Sequence, residues 1–199
     1  MQEYGTLSGL RFATISCVLL LAGCAGSSGF SWSNLSPFSW FGSPLKISAQ
    51  GVGEINGLTA MNKDAIEKGL DGKYHLRSGM ETKNGQLVTV FQAMGGDQLK
   101  VALFGQADGK VSHIEVLDKD IETVWGTKIG MPFSALYGKA FGACQNTVSG
   151  SEKSAIVCVS PQSKHVSYLF TGNWNGPEGL IPSDDVLKNW KMERIIWKR

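Results

Sequence analysis

Cysteine chemistry gives the clearest functional signal in this sequence. Cys24 directly follows Leu21, Ala22 and Gly23. Small residues before a cysteine are what the signal peptidase of lipoproteins requires, and the thiol of that cysteine is acylated before cleavage. We therefore expect residues 1–23 to be a lipoprotein signal peptide and the mature chain to begin at a lipidated Cys24. The alternative is a secreted protein in which Cys24 occurs by chance.

The segment before Cys24 has the organisation of an export signal. Arg11 precedes an apolar stretch at 12–22, which as a helix rises only about 16 Å, against roughly 30 Å of bilayer hydrocarbon. A permanent transmembrane helix is therefore not expected. In bacterial lipoproteins an Asp directly after the lipidated cysteine favours the inner membrane, and this chain has Ala25 there. The resemblance implies a lipid anchor in the outer membrane, on its periplasmic face.

Cys144 and Cys158 remain once Cys17 has left with the signal and Cys24 has taken the lipid. An oxidising compartment favours a disulfide between them. The bridge would close a loop of about 15 residues, worth roughly 3 kcal/mol on the chain-entropy model. A redox pair would need C-x-x-C and a zinc site would need nearby His or further Cys, which this region lacks.

Other residues with catalytic chemistry do not form a recognisable motif. His75, His113 and His165 are not spaced as metal ligands. His113 is predicted to lie with Glu115 on the face of a strand opposite Ile114 and Val116, the face that a half-exposed strand leaves to solvent. Ser43 and Lys46 match S-x-x-K but end a linker, and the glycines at 51–57 miss the dinucleotide spacing. We expect no catalytic residue, no metal and no cofactor. The net charge of +2 also argues against nucleic acid as a partner.

Residues 24–44 are rich in Ser, Gly, Pro and aromatics and carry no charge, which is typical of a tether. A flexible coil of this length spans about 25 Å. Two interpretations of its aromatics are open. They lie in the membrane interface or bind a partner, or else the later ones, Trp40 and Phe41, pack on the following domain.

Residues 45–199 predict a single α+β domain with a degenerate internal duplication. The glycine-framed segment at 53–59 aligns with 126–132, and each precedes a helix, predicted over 62–68 and 133–141. The result is two similar units, about 45–120 and 121–199, each a helix followed by an antiparallel meander. Chance similarity in a glycine-rich chain is the alternative. The predicted strands are 87–93, 99–106, 110–117, 155–160, 165–171 and 191–198.

The second unit contains an insertion at 172–189 that the first lacks, and long insertions often carry function. Its candidate binding residues are Asn173, Trp174, Asn175, Leu180 and Ile181. The alternative is a packed loop that ends in a short helix capped by Ser183, with Asp184 and Asp185 serving the helix dipole.

The C-terminal segment at 188–199 interleaves cations with aromatics. It either contacts an anionic surface, such as lipid headgroups or lipopolysaccharide phosphates, or forms a final strand whose basic residues protect a sheet edge.

The lipobox, the segment G-T-K-I-G-M-P-F-S-A-L-Y-G-K-A-F-G-A-C at 126–144 and the W-K-M-E-R-I-I-W-K ending together resemble the enterobacterial YfeY-like lipoproteins over essentially the full chain. That resemblance implies an outer-membrane lipoprotein regulated by the envelope-stress sigma factor E, with no assigned biochemical function and no catalytic residues to carry over. We expect a non-enzymatic binding or structural module of the cell envelope, with an envelope protein or polymer as partner. The alternative is an envelope hydrolase or small-ligand carrier with a scattered site.

Overall fold

The structure is a computed structural model that describes residues 44–83, 85–148, 154–177 and 179–199. The predicted signal peptide, the lipidation site at Cys24 and the tether up to residue 43 lie outside the described residues. All described residues belong to one compact unit.

Strands dominate the described chain. The elements in chain order are β1 (Lys46–Ile47), β2 (Gly51–Val52), β3 (Ile55–Asn56), α1 (Lys63–Gly69), β4 (His75–Lys83), β5 (Gln86–Gly95), β6 (Gln98–Gly105), β7 (Val111–Val116), β8 (Glu122–Thr123), a 3-10 helix (Phe133–Ala135), β9 (Cys144–Val148), β10 (Ser154–Ser160), β11 (Ser163–Gly172), α2 (Asp184–Leu187) and β12 (Lys191–Lys198).

The large sheet has the order β4-β5-β6-β7-β12-β11-β10-β9, and every neighbouring pair is antiparallel. Two four-stranded meanders meet at the β7–β12 pair, where Glu115 lies opposite Ile196. The C-terminal strand therefore lies at the centre of the sheet. The expectation that its basic residues protect an edge is wrong, because β7 and β11 cover both of its sides.

One face of the large sheet carries the main core. Alternating side chains such as Leu103, Ile114 and Tyr168 point into it and are fully buried. The small sheet β3-β2-β1-β8 and helix α1 contribute to the same cluster through residues such as Ile47 and Ile66. α1 begins where the Asn62 side chain accepts a hydrogen bond from the Ala65 N–H at 2.9 Å.

The fold class differs from the α+β expectation. The structure is mostly β, with 49% strand and 10% helix, and an internal duplication is not shown. The helix predicted over 133–141 is reduced to the 3-10 helix at Phe133–Ala135. The Phe133 N–H donates to the Trp190 carbonyl and the Ser134 N–H to the Lys188 carbonyl. These non-local bonds fix the start of the segment against the chain after α2, and Gly138 weakens helix propensity further along.

The predicted strands are confirmed. Each corresponds to an observed strand with ends that differ by at most two residues, and 191–198 matches the limits of β12. Alternation of apolar and polar residues was sufficient here because one face of the sheet is buried in the main core.

Gly51 is a position where any side chain is expected to destabilise the protein strongly. It is buried in β2, and a Cβ added there would lie 1.8 Å from the Ile55 carbonyl oxygen. We expect G51A to lower the free energy of unfolding by about 3 kcal/mol, because backbone and not a flexible side chain must move. Urea unfolding of the full chain measures this. G79A is the control, because a Cβ at Gly79 meets nothing within 4 Å, and equal midpoints for the two variants would contradict the prediction.

Candidate functional site

The predicted binding loop leaves the sheet at the end of β11 and returns through α2. Asn173 and Asn175 are exposed, whereas Trp174 lies between them with its side chain packed against the main core. The Trp174 carbonyl accepts a hydrogen bond from the Ser154 hydroxyl at 3.3 Å. Trp174 therefore fastens the start of the loop, and the two asparagines remain available to solvent.

Leu180 and Ile181, the other two candidates, are exposed in the second part of the loop. Hydrogen bonds tie this part to the chain before and within β9. The Asn146 side-chain amide donates to the Leu180 carbonyl at 2.9 Å, and the Ala140 N–H donates to the Asp184 carboxylate at 2.8 Å. Two segments, 140–146 and 180–186, are thus held side by side.

These two segments expose an unusual amount of apolar side chain. Phe141 is 97% exposed, and Leu180, Ile181 and Val186 are each more than a third exposed. We call these four residues the loop patch. Phe141 and Val186 were missed as candidates because the sequence placed both in helices, where an apolar residue normally faces the core. Phe141 lies at the end of the segment in which the helix does not form.

The start of α2 uses its acidic residues differently from the expectation. Ser183 occupies the N-cap position without a side-chain cap hydrogen bond. Asp184 accepts from the Ala140 N–H, and Asp185 lies 3.5 Å from the Lys188 ammonium. Asp184 therefore links the loop to the neighbouring segment in addition to facing the helix N-terminus.

The predicted disulfide joins Cys144 and Cys158 across neighbouring strands. The two residues lie directly opposite each other in β9 and β10, 14 positions apart in sequence. Both are buried and Cys158 is fully so. The bridge closes the hairpin at the edge of the sheet that adjoins the loop patch.

A charged cluster lies on the other face of the sheet, at its centre. The imidazole Nε2 of His113 lies 2.8 Å from one oxygen of Glu115, and the Arg194 guanidinium donates to the other oxygen at 2.6 Å. The sequence correctly placed His113 and Glu115 on the face opposite Ile114 and Val116. Their expected exposure is wrong, because β12 brings Arg194 beside them and His113 is only 9% exposed.

Burial opposes ionisation of Glu115, but His113 and Arg194 outweigh it and lower its pKa to about 2. The carboxylate therefore stabilises the folded state above its ordinary pKa, and this stabilisation is lost as the pH falls toward 2. We expect E115Q to lower the free energy of unfolding at pH 7 by about 2 kcal/mol, and the difference from the wild type to shrink below pH 4.

Urea unfolding of both proteins between pH 3 and pH 7 tests this prediction. E81Q, at an exposed position of β4, is the control and should follow the wild type throughout. A difference between E115Q and the wild type that does not change with pH would refute the linkage.

The remaining histidines do not join this cluster. His75 begins β4, and His165 in β11 has its Nδ1 3.1 Å from the Lys198 carbonyl. Among the described residues, no three His, Cys, Asp or Glu side chains are grouped so as to hold a metal ion. None of the helices in this part of the chain is long and apolar enough to cross a membrane.

Comparison with known proteins places the chain in a family. A family model described as "Protein of unknown function (DUF1131)" matches residues 29–199. The uncharacterized protein YfeY of Escherichia coli (strain K12) is 48% identical over 193 residues, which cover 97% of this chain and 100% of that protein. The crystal structure of the uncharacterized protein yfeY from Escherichia coli superposes with a TM-score of 0.70 at 51% identity, covering 77% of this chain and 99% of that chain. The resemblance to YfeY-like proteins is confirmed, and the chain belongs to the DUF1131 family of proteins of unknown function.

Proposed function

We propose that the protein is an envelope-stress-associated lipoprotein of the outer membrane that acts in the periplasm as a non-enzymatic binding or structural module. The lipid on Cys24 holds it at the membrane, and the loop patch binds an envelope protein. The observation that carries the proposal is the exposure of Phe141, Leu180, Ile181 and Val186 on two segments that hydrogen bonds hold together.

Exposed apolar side chains favour a protein partner for physical reasons. Leaving a phenylalanine almost wholly in water forgoes about 2 kcal/mol of burial free energy, which a partner recovers on binding. Aromatic residues are common at the energetic centre of such interfaces, with polar residues around them. Asp185, Lys188 and Asn175 are exposed on the same loop and helix, and they supply polar groups around the loop patch.

The position of the loop patch also suits an interface. The disulfide, the Trp174 anchor and the hydrogen bonds from Ala140 and Asn146 hold the two segments. A surface fixed in this way loses little conformational freedom on binding.

The variant F141D tests the function in intact envelopes. A buried, unpaired carboxylate is costly at an interface, so we expect F141D to reduce crosslinked complexes at least tenfold. L58D is the matched control, because Leu58 is 77% exposed and lies outside the loop patch. If both variants keep wild-type complexes, the loop patch is not the binding surface. Recovery of no partner together with hydrolysis of an envelope polymer would favour the hydrolase alternative instead.

We also propose that the two halves of the large sheet arose by duplication. The strand order is symmetric about the β7–β12 pair, and Leu103 lies opposite Ile114 as Tyr168 lies opposite Ile195.

A further inference from the structure

A pocket of about 310 Å³ lies on the face of the sheet opposite the main core. Its lining residues come from β5, β6, β7 and β12 and from two residues that directly follow strands, Gln106 after β6 and Arg199 after β12. The lining residues are Gln86, Val88, Phe104, Gly105, Gln106, Ser112, His113, Lys198 and Arg199. Their side chains include two cations and a histidine but no carboxylate; since Asp108 pairs with Arg199 from outside the lining, the positive charge of the pocket comes from Lys198.

Lys198 is the cation available to a ligand. Among the described residues its ammonium group has no ion-pair partner, and it lies opposite His113 in the β7–β12 register. Arg199 is held in place by Asp108, at 2.9 Å, and by Gln106 and the Gly57 carbonyl. Arg199 therefore shapes the wall, and Lys198 supplies unpaired positive charge.

The rest of the pocket is suited to a hydroxyl-bearing ring. Gln86 offers a side-chain amide that both donates and accepts hydrogen bonds. Phe104 and Val88 supply apolar surface, and the Phe104 ring is fixed by an edge contact with the His113 ring at 5.1 Å between centroids. Sugars present hydroxyl groups at their rim and apolar C–H groups on their faces, so amide and aromatic walls complement them.

We propose that this pocket binds the phosphate monoester of a sugar, with the phosphate at Lys198 and the sugar ring between Gln86 and Phe104. The volume is at the small end of the range of ligand pockets, which fits a single sugar ring and excludes a large ligand. Two sources share this chemistry: a soluble sugar phosphate, and the phosphorylated sugar headgroup of a glycolipid in the membrane. The proposal goes beyond protein binding at the loop patch and uses none of its residues.

Calorimetric titration of the full chain in neutral detergent tests the site, with glucose 1-phosphate and glucose as probes. We expect glucose 1-phosphate to bind and glucose to bind at least tenfold more weakly. K198M retains the aliphatic stem but removes the charge, and we expect it to lose about tenfold in affinity for glucose 1-phosphate, the value of one charged hydrogen bond. K191M, an exposed position at the other end of β12, should bind as the wild type does.

A second arm identifies the source. The wild type and K198M are each reconstituted without detergent in phosphatidylcholine vesicles and mixed with phosphatidylcholine vesicles that contain or lack a monophosphorylated glycolipid. Lys198-dependent binding to the glycolipid vesicles assigns the site to a membrane headgroup, whereas Lys198-dependent binding of glucose 1-phosphate alone assigns it to a soluble ligand. Either result supports the site. Absence of binding in both arms, or equal losses in K198M and K191M, would overturn it.

Discussion

Replacing Cys24 with Ser is expected to abolish incorporation of an acyl label and to remove the protein from the outer membrane. The serine hydroxyl is not a substrate for the thiol acylation that precedes cleavage of lipoprotein signals. Each buried methylene of an acyl chain contributes about 0.8 kcal/mol to membrane binding, so loss of the lipid removes nearly all anchoring. Metabolic labelling with a fatty acid, followed by separation of inner and outer membranes, measures both effects.

The matched control for C24S is C17S, since Cys17 lies within the predicted signal peptide. C17S should be labelled and sorted as the wild type is. An acyl label that persists in C24S would show that the lipid is attached elsewhere or that the lipobox prediction is wrong.

Removal of the disulfide is the second change with a large expected effect. We expect C144A/C158A to lower the free energy of unfolding by about 3 kcal/mol, because the bridge joins cysteines 14 positions apart and restricts the loop between them in the unfolded chain. For a domain of this size that corresponds to a fall in Tm of roughly 6–12 °C. Thermal unfolding of the oxidised wild type and the double variant measures the difference.

Thiol counting on denatured, unreduced protein provides the control for the disulfide. The wild type should show no free thiol from Cys144 or Cys158, and reduction should bring its stability to that of C144A/C158A. Two free thiols from this pair in protein isolated from the envelope would refute the bridge.

Six strands of the large sheet were predictable because their signal is local, whereas its two edge strands, β4 and β9, and the short strands of the small sheet were not predicted. Residues 111–116 and 191–198 alternate side chains between the main core and the opposite face, and that pattern is visible in any short window. The position of β12 in the centre of the sheet was not predictable, because strand order depends on pairing between residues about 80 positions apart, such as Glu115 and Ile196.

The helix predicted over 133–141 does not form, and the reason is again contacts between residues that are distant in the sequence. Its sequence has a helical pattern, but the first N–H groups, those of Phe133 and Ser134, bond to the chain after α2, and only one turn closes behind them, through the N–H groups of Leu136 and Tyr137 to the Phe133 carbonyl. Tertiary contacts of this kind override local propensity. Phe141 lies exposed at the end of this segment, and a local helical pattern could not predict that exposure.

The candidate sites also divide into residues that lie close together in the sequence and residues that only the fold brings together. Leu180 and Ile181 were found because they lie on one insertion, and the structure adds Phe141 from a segment about 40 residues earlier. The pocket proposed to bind a sugar phosphate brings Gln86 close to Lys198 across three strand pairs. No spacing within the sequence marks such a site, since its residues come together only when the two meanders join.

Site-specific photocrosslinking in living cells tests the central claim that the loop patch is a partner-binding surface. A photoreactive amino acid is placed at 141 or 181, and at the exposed control positions 58 and 87, in the full-length lipoprotein. We expect an adduct of the same mass from 141 and 181 and none from 58 or 87. Absence of an adduct at both loop-patch positions, or the same adducts at all four positions, would contradict it.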